Sequence, residues 1–126
     1  MNTILVVDDR PEGRYVTVRT LMAAGYDVRE TATGRDALRL ARMSPDLIVL
    51  DVVLPDMDGF EVCRRLKSDA ITGPIPVLHK TAVYGDPDHR RRGLAAGADE
   101  YLAEPVEPQL LLATVERLIK RQPAQG

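Results

Sequence analysis

Three carboxylates stand where two apolar runs stop. Leu47-Ile48-Val49-Leu50 runs directly into Asp51, and Ile4-Leu5-Val6-Val7 runs into Asp8-Asp9. A short apolar run that ends on a carboxylate and then breaks on Pro and Gly, as Asp51-Val52-Val53-Leu54-Pro55-Asp56-Met57-Asp58-Gly59 does, reads as a buried parallel strand emptying into a loop. Open α/β sheets place their ligand sites beyond the carboxyl ends of such strands. Three acidic side chains gathered there suit a hard cation, and a hard cation beside a carboxylate points to phosphate chemistry.

The elements needed to hold those residues are legible along the chain. Strand-like runs cover 3–8, 27–31, 46–51, 75–81 and 99–103, and helical patterns cover 11–25, 34–43, 58–68, 86–97 and 107–121. The last helix carries one apolar stripe, Leu111, Leu112, Val115, Leu118 and Ile119, with Glu116, Arg117, Lys120 and Arg121 facing out. Pro11 and Pro108 open helices, Gly25 and Gly97 follow them, and Ser44-Pro45 separates helix from strand. Five strand–helix repeats joined by right-handed crossovers predict an α/β domain, a parallel sheet with helices on both faces. Residues 1–121 are expected to form that domain, and 122–126 a disordered tail or the start of a linker.

Bulk properties narrow the function further. A chain of 126 residues is one domain of ordinary size, and a net charge of −2 with pI near 5.7 gives no sign of direct nucleic-acid binding. The single cysteine, Cys63, is read as packing. No segment is apolar enough to span a membrane and no signal-peptide pattern opens the chain, so the expected compartment is the cytoplasm.

The ordered set of motifs resembles the receiver domain of bacterial two-component response regulators, from Ile4 to about Lys120. It comprises Asp8-Asp9, Asp51, Leu54-Pro55 with Asp58-Gly59, Thr81-Ala82, Gly97-Ala98-Asp99 and Tyr101. The resemblance implies a flavodoxin-like (βα)5 doubly wound sheet in the order 2-1-3-4-5. It implies that Asp51 accepts a phosphoryl group from a histidine kinase or phosphotransfer protein, with Mg²⁺ as cofactor. Asp9, Asp51 and the Val53 carbonyl would be direct ligands, and Asp8 would act through water. Thr81 would bond a phosphoryl oxygen, and Tyr101 would change rotamer to signal through the face of helix four, strand five and helix five. That face is a candidate homodimer surface, and an output or kinase domain could follow the chain. Such a protein is a switch that catalyses only its own phosphorylation and slow dephosphorylation.

One position departs from the resemblance. Receivers of this kind carry a lysine before the proline that follows strand five, and here Glu104 precedes Pro105. Three carboxylates and one lysine sum to −2, whereas an inward, ionised Glu104 would take the same site to −4. At ~5 Å and an effective dielectric near 20, each like-charge pair costs roughly 3 kcal/mol. Glu104 is therefore expected to rotate outward. Lys80 is the candidate compensating base, although strand alternation sends it to the face opposite Thr81.

Other readings compete. Asp8 and Asp9 could cap the first helix, Asp58 is read as the cap of the third, and Thr81 could be an ordinary strand-end residue. Tyr101 could be packing alone. His79 and His89 lack the spacing of metal ligands or a general base, and His89-Arg90-Arg91-Arg92 reads as a solvated face. A phosphatase with an aspartyl-phosphate intermediate would need an acid where Val53 stands. An FMN-binding flavodoxin would place phosphate against the acidic Asp8-Asp9 loop. The nearest alternative is a pseudo-receiver that docks partners without phosphorylation because Glu104 cripples the site.

Overall fold

The computed structural model describes residues 1–82 and 86–121. Five strands, β1 (Thr3–Val7), β2 (Asp27–Thr31), β3 (Leu47–Leu50), β4 (Val77–Thr81) and β5 (Glu100–Ala103), alternate with five helices. These are α1 (Pro11–Ala23), α2 (Gly34–Ala41), α3 (Gly59–Ser68), α4 (Pro87–Ala95) and α5 (Pro108–Lys120). Every strand pairing is parallel and the order is β2-β1-β3-β4-β5, as the flavodoxin-like reading requires.

Period-two alternation splits the apolar strands between two cores. Leu5, Val7, Ile48, Leu50, Val77 and Tyr101 pack on one face against α2, α3 and the end of α4. Ile4, Val6, Leu47, Val49 and Leu78 pack on the other against α1 and α5. The stripe read from α5 supplies Leu111, Val115 and Leu118 to that second core. Cys63 is buried, and burial pushes its thiol up to about 11, so it is an inert packing residue.

Four strands are shorter than the ranges read from the sequence by a residue or two, and β2 matches its range. Asp8 and Asp51 lie just past β1 and β3, their amides still bonded to the Thr31 and Val7 carbonyls at 3.1 and 3.0 Å. At the opposite end of the sheet, Asp99 Oδ2 accepts from the Val77 amide at 2.8 Å and from Lys67 Nζ at 3.1 Å. Lys67 Nζ also donates to the Ile75 carbonyl at 2.7 Å, tying α3 to the start of β4. Gly25 and Gly97 follow α1 and α4 with φ of 97° and 106°. The expected tail, 122–126, lies outside the described residues.

Candidate functional site

The central pairing of β1 with β3 brings the three carboxylates together. One oxygen from each of Asp8, Asp9 and Asp51 falls within 4.8 Å of the others, a set of hard donors of the kind that holds a divalent cation. Asp51 is only 4 % exposed. Its Oδ1 accepts from the Val52 amide at 2.7 Å and the Val53 amide at 3.4 Å, which leaves Oδ2 as the less engaged oxygen. Burial, then the charge of Asp8, pushes its pKa up to about 6 against the pull of those amides and of Arg10.

The loop after β3 is folded tightly under this carboxylate. The Gly59 amide donates to the Val52 carbonyl at 2.7 Å, and Val53 pairs with Asp58 in an isolated antiparallel bridge. A Cβ on Gly59 would lie 2.2 Å from the Asp51 carbonyl oxygen, so only glycine allows the approach. Asp58 caps α3 by accepting from the Phe60 amide at 2.8 Å, as read from the sequence. Asp56, to which the sequence assigned no role, accepts from the Gly34 and Arg35 amides at 2.8 and 2.9 Å and so caps α2. Neither Asp8 nor Asp9 caps α1, whose cap position is Arg10, with no side-chain bond to the helix amides.

Thr81 ends β4, fully buried, two residues past the last β3–β4 pair, Leu50 with His79, so it stands one step beyond Asp51 along the sheet. Tyr101 sits on β5, an edge strand of the sheet, yet is only 1 % exposed. It stacks on Phe60 at 6.4 Å and meets His79 edge-on at 5.8 Å, while Arg90 of α4 donates to its carbonyl at 2.7 Å. The His79 imidazole donates from Nδ1 to the Leu50 carbonyl at 3.0 Å. Its Nε2 has no partner among the described residues. The arginine run is engaged along α4: Arg90 pairs with Glu100, Arg91 with Asp88, and Arg92 covers the Phe60 ring at 4.8 Å. Val83, the second apolar residue that the receiver resemblance sets beside the site, two positions past Thr81, lies outside the described residues.

Glu104 corrects the expectation of outward rotation. Its Oε2 accepts from Lys80 Nζ and from Arg10 Nη2, each at 2.9 Å. Burial works to raise the Glu104 pKa, but the bonds and charges of Lys80 and Arg10 prevail and hold the carboxylate below its usual value. Lys80 does leave the sheet opposite Thr81, but Glu104 shares that side, being two residues past Leu102, the partner of Lys80. Arg10 was not read from the sequence as a site residue at all. It spans the cluster, with Nε 3.5 Å from Asp8 Oδ1 and 3.8 Å from Asp51 Oδ2. The available signal was a cation directly after Asp8-Asp9, opposite in sign to the reversal at position 104.

The family described as response regulator receiver domain matches residues 4–116. The chain belongs to that family. It is 42 % identical over 122 residues to the DNA-binding dual master transcriptional regulator RpaA of Synechocystis, covering 96 % of this chain and 50 % of that protein. It is 43 % identical over 118 residues to the response regulator PleD of Caulobacter vibrioides, covering 93 % of this chain and 26 % of PleD. This receiver thus spans half or less of those relatives. Among solved structures, a putative response regulator from Chloroflexus aurantiacus superposes with a TM-score of 0.90 at 38 % identity, covering 95 % of this chain and 98 % of that one. The receiver domain of a Pseudomonas aeruginosa sensor histidine kinase superposes at 0.86 with 32 % identity, covering 94 % and 98 %, and carries magnesium coordinated in its active-site cleft.

Proposed function

We propose that this receiver takes a phosphoryl group onto Asp51 from a phosphohistidine of a sensor kinase or phosphotransfer protein. The observation that carries this reading is the buried Asp51 with its carboxylate oxygen inside 4.8 Å of those of Asp8 and Asp9. In that step Asp51 Oδ2 attacks phosphorus, an acyl P–O bond forms, and the P–N bond breaks. The departing imidazole keeps the electron pair and takes up a proton. The Val52 and Val53 amides hold Oδ1 and so fix which oxygen attacks. Asp8, Asp9, Asp51 and the Val53 carbonyl would hold Mg²⁺, the ion suited to a few carboxylates plus water. When bound it supplies charge neutralisation for phosphoryl oxygens. Thr81 bonds the new phosphoryl group, and Tyr101 carries the change to the α4–β5–α5 face. Glu100 already ties that face together, accepting from Arg90 of α4 at 3.2 Å and Arg117 of α5 at 2.9 Å.

The chain is accordingly a switch and not a turnover enzyme, working in the cytoplasm with a kinase upstream and with an output or kinase domain, or a second copy, on the switched face. Among the described residues no helix is long and apolar enough to cross a membrane. Intact mass after incubation with acetyl phosphate and Mg²⁺ is expected to show one added phosphoryl group in the wild type and none in Asp51→Asn. Glu104 is the one observation that favours the pseudo-receiver, and absence of any adduct across Mg²⁺ concentrations would decide for it.

A further inference from the structure

We infer that Arg10, held in place by the Lys80–Glu104 pair, is the cation that meets the phosphoryl group on Asp51. This rests on the phosphoacceptor reading and assigns within it the charge-pairing role that Glu104 itself is unable to fill. Glu104 shares a single oxygen between Lys80 and Arg10, at 2.9 Å to each. Lys80 and Glu104 balance one another, so the charge on Arg10 is left over for the site. Four carboxylates with these two cations leave −2, the same total as three carboxylates with one lysine. The charge reversal at 104 is therefore cancelled within the site.

Geometry gives Arg10 the role in preference to Lys80. Its Nε already lies 3.8 Å from Asp51 Oδ2, the oxygen that would carry the phosphoryl group, whereas Lys80 Nζ is directed at Glu104. A guanidinium presents five donors in a planar fork, so Nη2 keeps Glu104 while other N–H groups turn to phosphoryl oxygens. An ammonium offers no such fixed division. The side chains of Lys80 and Glu104 are 12 % and 21 % exposed, that of Arg10 40 %. The better-buried pair is the anchor and Arg10 the arm with room to adjust. Gly13 keeps that room open, since a Cβ there would come within 3.3 Å of Arg10 Nη2. Arg10 thus touches the transferred group, and Glu104 and Lys80 are positioning residues.

Two titrations on the intact chain separate the roles: beryllium fluoride with Mg²⁺, followed by fluorine NMR, and Mg²⁺ alone, followed by calorimetry. Arg10→Ala is expected to weaken binding of the fluoride mimic by about tenfold or more. The same change should leave Mg²⁺ binding equal or tighter, because it removes a cation facing the carboxylates. Loss of fold would instead weaken both. Arg10→Lys should fall between wild type and Arg10→Ala. Lys80→Ala should weaken mimic binding by drawing Arg10 onto an unbalanced Glu104, and adding Glu104→Gln should restore part of that loss, a non-additive pair. Mimic binding by Arg10→Ala within about twofold of wild type overturns the inference while leaving Asp51 as acceptor. So does abolition by Lys80→Ala with Arg10→Ala unaffected. If the wild type takes neither mimic nor phosphoryl group, the phosphoacceptor reading falls and this inference falls with it.

Discussion

Val53 lies two residues past Asp51 and is 41 % exposed, so on the phosphoacceptor reading it would flank the path of water to the acyl phosphate. An isopropyl group has no means of orienting an attacking water, so the phosphorylated chain should decay slowly. Val53→Asn is expected to speed that decay several-fold, read as the rate at which the phosphoryl mass is lost, and an unchanged rate would remove Val53 from the account. His79 makes a different prediction. Burial lowers its pKa from 6.5 to about 4, so the unfolded chain binds a proton below pH 6.5 that the folded chain refuses until about 4. The stability contributed by neutral His79 is complete above 6.5 and is lost as pH falls toward 4, at no more than ~1.4 kcal/mol per pH unit. Urea melts at several pH values should show this slope in the wild type and a shallower one in His79→Leu. Equal slopes would place the proton uptake elsewhere.

The β3–α3 loop links acceptor and scaffold at the level of elements. Gly59→Ala should destabilise the fold by roughly 1–3 kcal/mol, because its Cβ would collide with the Asp51 carbonyl, and it should slow phosphorylation as the acceptor backbone shifts. Asp56→Ala should lower the urea midpoint modestly through the loss of the α2 cap, with phosphorylation little changed. Comparing urea midpoints with rates of adduct formation separates the two. Arg64→Ala is a useful contrast, since its exposed pairing with Glu61 at 2.9 Å is screened by solvent and should contribute little.

For the molecule as a whole, the acidic site opposes the fold that carries it. The Asp51 pKa is raised, so its contribution to stability is complete below pH 3.8 and is lost as pH rises through about 6. Without Mg²⁺ at neutral pH, Asp51→Asn should be the more stable protein, by on the order of 2 kcal/mol. Added Mg²⁺ should raise the melting temperature of the wild type more than that of the variant. A variant no more stable than wild type in chelator would show that neighbouring cations already offset the buried charge. Much of this was legible in the sequence. The alternation of strands and helices, the placing of Asp8, Asp9 and Asp51 and the Asp58 cap all follow from local pattern, which period and punctuation encode. The Asp56 cap, the burial of Tyr101 beneath α4 and the contact of Arg10 with Glu104 were not legible. Each joins segments 11 to 94 residues apart, and local pattern says nothing of such meetings.

Glu104 bridging Lys80 and Arg10 also constrains how this site can be changed. Replacing Glu104 alone by lysine brings a third cation to a point where two already converge. At ~5 Å and an effective dielectric near 20, each of the two new repulsions is worth roughly 3 kcal/mol. That substitution is therefore expected to destabilise the site unless position 10 or 80 is changed with it. Because one Glu104 oxygen meets both cations, substitutions at positions 10, 80 and 104 are expected to be non-additive.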